Sequence, residues 1–141
     1  MPGFWDASAL VPLCVPSQNP GHLRRVLHQY GPVVWWGTPT EVLSALARLR
    51  RERTLIESQH GAACQRLAAL SKTWREIQPT NRLRHLAETR LDRYDLRAGD
   101  ALQLAAALVW CNEKPKNRAF LCRNSRLRDA ARREGFTLIE L

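Results

Sequence analysis

Two hydrophobic rhythms alternate along the chain. Short apolar runs fall at residues 3–6, 32–36, 74–78, 118–122 and 137–140, the length expected of buried strands. Between them the apolar positions recur at helical spacing, predicting helices over 23–30, 41–53, 55–71, 81–91, 99–111 and Ser125–Glu134. In the second of these, Val42, Leu43, Leu46 and Leu49 share one face. In the third, Ile56, Cys64, Leu67 and Leu70 are expected to point inward. Gly135 is placed to end the last helix. The stretch from Asp100 to Trp110 is apolar almost all round, so its helix is expected to be the most buried. Strands alternating with helices predict a parallel sheet covered on both faces. No repeat, low-complexity tract or linker interrupts the pattern, and residues 1–141 read as one domain.

Polar residues that break this pattern carry the candidate chemistry. In a parallel α/β sheet the C-terminal ends of the strands face the helix N-termini along one edge, where ligands bind. Asp6 closes the first strand there, and Glu41 opens the helix after the second. Asn124 follows the fourth strand. Asp100 heads a helix running antiparallel to the sheet, which returns it to the same edge. Each position also has a purely structural explanation. Thr38-Pro39-Thr40-Glu41 matches a capping box with Thr38 as N-cap. Asp6 and Asn124 are good N-caps, and Asp100 complements a helix dipole. Capping does not explain why the most apolar helix begins with an acid, nor why all four residues share an edge.

Carboxylates brought together repel, and a divalent cation relieves that repulsion. Oxygen ligands of this kind suit Mg²⁺ or Mn²⁺ rather than zinc. Such a site activates water and neutralises a phosphodiester in the transition state.

Charge adds a substrate class to this picture. Lys and Arg number 22 against 13 acids, a net charge of +9, which favours a polyanionic partner such as nucleic acid. Arg97, Arg123 and Arg126 lie near the proposed edge, as phosphate contacts or as a solvated rim. Cys14, Cys64, Cys111 and Cys122 have neither zinc-ligand nor disulfide spacing and read as small buried hydrophobes. The four histidines are scattered. The uncharged stretch 101–112 is too short to span a bilayer, so no membrane association is expected, and without a visible signal peptide the expected compartment is the cytoplasm. Trp35 and Trp36 point to opposite sides of their strand, one for the core and one for an interface.

FWDASAL, TPTEVLSAL, LRAGDALQLAAAL and FLCRNSRLRDAARREGF, in that order, resemble the signatures of PIN-domain proteins, specifically VapC-type toxins, over nearly the whole chain. The resemblance implies a three-layer α/β/α sandwich with a central, mainly parallel sheet of about five strands. It also implies metal-dependent cleavage of single-stranded or looped RNA, with Asp6, Glu41 and Asp100 as metal-holding acids and Asn124 as their auxiliary. A small antitoxin is the implied partner, through a segment covering the carboxylate edge, and a homodimer is expected. The chain departs from the family at Cys122-Arg123-Asn124, where a T-x-D arrangement is usual. Asn124 removes one negative charge and weakens a second metal position. Asp129 lies about one helical turn further on as a substitute, and Ser8 either orients water or caps. One rival is a PIN-fold module that binds RNA or a partner with catalysis weakened. Another is a phosphatase using Asp6 as nucleophile, which needs an acid where Ser8 stands. A receiver domain needs an Asp after the third strand, where Gln78-Pro79 sits.

Overall fold

Parallel strands β1 (Pro2–Trp5), β2 (Gly31–Trp35), β3 (Arg75–Ile77), β4 (Ala119–Leu121) and β5 (Thr137–Leu138) form one sheet in the order β3-β2-β1-β4-β5. The computed structural model describes residues 1–141. After β1 the chain builds outward on one side through β2 and β3. It then crosses back to place β4 against the other side of β1. Helices α1 (Ala7–Cys14), α2 (Pro20–Gln29), α3 (Thr38–Arg51) and α4 (Glu57–Ser71) contribute to the core on one face. Helices α5 (Asn81–Arg93), α6 (Ala98–Trp110) and α7 (Ser125–Glu134) contribute to the core on the other. The expected three-layer α/β/α sandwich is present, with all five strands parallel.

Side-chain alternation divides the strands between these cores. Phe4 and Val33 pack with α5–α7, whereas their neighbours Trp5 and Val34 pack with α1–α4, as the period-two geometry of a strand requires. β1 and β4 approach closely at Gly3, where an added Cβ would sit 2.9 Å from Leu121 Cδ1. As expected, α6 is the most deeply embedded helix, with seven buried residues. Gly135, at φ 114°, closes α7 in the left-handed region that favours glycine. On the outer layer, Glu134 accepts from Arg90 at 2.8 Å, from Arg93 at 3.1 Å and from the Tyr94 hydroxyl, tying α5 to α7.

Several local expectations are corrected. The residues after Asp6, for which the periodicity predicts no helix, form an eight-residue helix containing Pro12. α3 starts at Thr38, with Gly37 as its N-cap and no side-chain cap bond, so the anticipated capping box is absent. Thr38 is instead fully buried. Leu43 and Ile56 are exposed; Ile56 lies just before α4 in extended backbone, outside its apolar stripe. Trp35 is buried and Trp36 exposed, dividing core from surface as alternation predicts. Cys14, Cys111 and Cys122 are buried, Cys64 is half-buried, and all four are free.

Candidate active site

The C-terminal edge of the sheet carries a cleft of about 400 Å³ whose lining includes Asp6, Glu41, Asp100 and Asn124, with Arg48 and Arg123. The four residues singled out on sequence therefore meet in one place. Three different local devices bring the acids there. Asp6 caps α1 at the end of the central strand. Glu41 projects from the first turn of α3. Asp100 occupies the third position of α6, opposite the other layer.

Asp6 is almost fully buried, yet its two oxygens differ. Oδ2 accepts from the Ser8 backbone N–H at 3.1 Å and from Ser8 Oγ at 2.5 Å, and the Cys122 thiol donates to it at 3.5 Å. Oδ1 accepts no hydrogen bond from the protein, leaving one carboxylate oxygen for the cleft. Burial pushes the Asp6 pKa up, the Ser8 and Cys122 bonds oppose that rise, and the charge of Asp100 adds to it. Ser8 also accepts from the Arg123 backbone N–H at 2.9 Å. It thus both caps and joins the end of β1 to the segment after β4.

Glu41 lies half-buried beside Gly99, where an added Cβ would sit 3.9 Å from its Oε2. Burial and the charges of Asp6 and Asp100 push its pKa up to about 7, against the hydrogen bond from Gln103. Burial likewise raises Asp100, opposed by the Arg97 backbone and by the Arg97 and Arg126 guanidiniums. None of the three acids has a cationic side chain within ion-pairing distance. They form a pocket of negative charge without a counter-charge in contact, inside a protein of net charge +9.

Asn124 behaves as a cap. Its Oδ1 accepts from the backbone N–H groups of Arg126 and Leu127 at 3.0 and 3.1 Å. Only its amide nitrogen remains free of that task. Asp129 is not a wall of the cleft and faces Arg133 on the outside of α7 at 3.9 Å. No histidine lines the cleft. Two contributors were not anticipated: Cys122, against Asp6, and Gln103, against Glu41. Gln103 had a visible signal, as the lone polar residue within the apolar run after Asp100.

Solved structures share this architecture. A toxin–antitoxin complex from Klebsiella pneumoniae contains a chain that superposes with a TM-score of 0.63 at 16% identity, over 88% of each chain. The Mycobacterium tuberculosis toxin VapC20, described as cleaving the sarcin-ricin loop, superposes with a TM-score of 0.64 at 19% identity, over 95% of each chain. The fold is the VapC fold. No family model and no curated protein matches the sequence. The VapC-type likeness is thus carried by architecture, with the acids at the edge where the central strand of that architecture ends.

The donor set suits a hard divalent cation: carboxylate oxygens, raised pKa values from burial, and no competing cation. No three His, Cys, Asp or Glu side chains stand in the geometry to ligate one ion directly. Mg²⁺ does not need three, because it retains several waters and is held through one or two carboxylates. Asp6 and Asp100 fit that mode, with Glu41 beside them.

Proposed function

We propose that the protein is an Mg²⁺- or Mn²⁺-dependent endoribonuclease, the toxin component of a toxin–antitoxin pair. The observation that carries this reading is the meeting of three carboxylates without cationic partners, from three separate elements, in one cleft of a VapC fold. Asp6 offers Oδ1, its other oxygen being engaged by Ser8 and Cys122. Asp100 and Glu41 supply charge from the opposite walls. When bound, the cation supplies charge neutralisation at the scissile phosphate and activation of water. Arg48 and Arg123, on the cleft wall, are placed to bind flanking phosphates and orient the strand. The protein supplies no nucleophile; a water cleaves the phosphodiester in line.

VapC20 is described as cleaving the sarcin-ricin loop, and single-stranded or looped RNA is the substrate class assigned here. An antitoxin would bind over the same edge, presenting a basic side chain to the acids in place of the metal. Trp36, large and exposed at the end of β2, is the apolar residue assigned to a homodimer contact.

The decisive experiment is cleavage of loop-containing and unstructured RNA with Mg²⁺ or Mn²⁺ and with excess EDTA. Cleavage should require the cation. Asp6→Asn and Asp100→Asn should each lower the rate by at least about 10²-fold, and the melting temperature of the metal-free Asp6→Asn protein should hold or rise, because Asn is an equivalent cap and removes a buried charge. Undiminished cleavage in EDTA rules the mechanism out. Intact RNA in Mn²⁺, with a folded protein, leaves a binding module instead. Expression alone should arrest growth, and co-expression of a small protein encoded next to it should relieve the arrest.

A further inference from the structure

We infer that Gln103 is a positioning residue that fixes the Glu41 carboxylate towards the cation, an inference that rests on the metal-dependent reading above. Gln103 lies on α6 one turn after Asp100, the spacing that puts both residues on one face of the helix. It is fully buried. Its Nε2 donates to Thr38 Oγ1 at 3.0 Å and to Glu41 Oε1 at 3.0 Å. Both acceptors belong to α3, in the other helical layer, so the amide reaches across the end of the sheet. One helix thereby delivers Asp100 to the cleft and holds a second of its three acids, Glu41, in place.

The unpaired half of the same amide supports a role beyond packing. Gln103 Oε1 is buried with no hydrogen-bond partner, and a buried acceptor left unpaired is destabilising. An apolar residue of similar shape would avoid that loss inside a helix that is otherwise apolar. What an apolar residue cannot do is donate to Glu41. The alternative amide orientation would set a carbonyl oxygen against the carboxylate, so the observed orientation is the one the acid demands. With Oε1 of Glu41 held by Gln103, its Oε2 is left beside Gly99 at the mouth of α6. Residues that orient a metal-binding carboxylate in this way typically change metal affinity or activity by about 10- to 100-fold when removed.

Metal binding separates this role from a simple pin between layers. Mn²⁺ binding is measured by isothermal titration calorimetry, without RNA, for the wild type, Gln103→Met and Thr38→Val, alongside thermal melts. Gln103→Met removes both bonds, whereas Thr38→Val removes only the one that does not involve the acid. Gln103→Met should weaken Mn²⁺ binding by about 10-fold or more. Thr38→Val should lower the melting temperature while keeping the Mn²⁺ affinity within about threefold. Should Gln103→Met fail to fold, Gln103→Leu likewise has no donor for Glu41 or Thr38 and adds no charge beside the acids, and the same weakening is expected of it. Wild-type affinity in a folded Gln103 variant, or equal weakening in Thr38→Val, overturns the inference and leaves the metal-dependent reading intact. A wild type that binds no Mn²⁺ overturns both.

Discussion

Glu41 shows at the scale of one residue how the site sets itself against stability. Its pKa in the folded chain is about 7, against an ordinary value of 4.5. Below about pH 4.5 it is protonated in both folded and unfolded chains and contributes nothing. Between 4.5 and 7 the unfolded chain has released the proton that the folded chain still holds, so stability falls as pH rises. The loss is complete above about 7 and should amount to about 1–3 kcal/mol once solvent screening is allowed for. Asp6 and Asp100 are shifted in the same direction. Glu134 works the other way. Burial pushes it up, but the bonds from Arg90 and Tyr94 and the guanidiniums of Arg90 and Arg93 outweigh this and hold it low. Its contribution is present above its unfolded pKa and lost as pH falls through the folded one. Metal-free protein should therefore melt highest near pH 4.5–5 and decline towards neutrality, and Mg²⁺ should abolish the neutral-side decline. Melting curves from pH 4 to 8, with and without Mg²⁺, test this; an unchanged neutral-side decline in saturating Mg²⁺ would show that the cation does not bind these acids.

At the scale of elements, Asn124 joins helix initiation to the site. Its oxygen caps α7, so Asn124→Ala should cost about 1 kcal/mol with little effect on the metal. Asn124→Asp keeps the cap with one oxygen and adds a second, anionic oxygen on a residue that lines the cleft. It should lower the Mg²⁺ concentration for half-maximal cleavage at unchanged or slightly higher stability; coincident titration curves would mark Asn124 as a cap alone. Strand and helix order was legible because each element has a strong local period. Convergence of the acids was legible because parallel topology puts strand ends and helix starts on one edge. The Thr38 cap was misread because tertiary contact overrode a local motif: Gln103, a long way off in sequence, takes the hydroxyl that a capping box would use. Cys122 escaped notice for the same kind of reason, since nothing near it in sequence shows that its thiol meets Asp6.

On the scale of the whole molecule, net charge and local charge oppose one another. On the function proposed above, a chain of net charge +9 would draw a polyanion in, while its three central acids would oppose phosphate in the absence of a cation. Binding should therefore be strongly salt-dependent. With the inactive Asp100→Asn protein, the logarithm of RNA affinity should fall linearly with the logarithm of salt concentration. Arg48→Ala and Arg123→Ala should each weaken binding across sequences and reduce the slope by about 0.7 for single-stranded RNA. Loss confined to one sequence, with the slope unchanged, would mean that these arginines read bases instead.

The place of β1 between β2 and β4 also bears on how the chain becomes active. The thiol that donates to Asp6 lies 116 positions after it, and β4 must dock beside β1 before the two meet. Contacts at such separation close late, since a long stretch of chain entropy must be lost before they form. The first half of the chain contains β1, β2, Asp6 and Glu41 but neither Asp100 nor the strand that completes the edge. On the function proposed above, cutting would thus need β4 in place: a product that lacks β4 keeps the Ser8 contacts of Asp6 but has neither the Cys122 thiol beside it nor the completed edge.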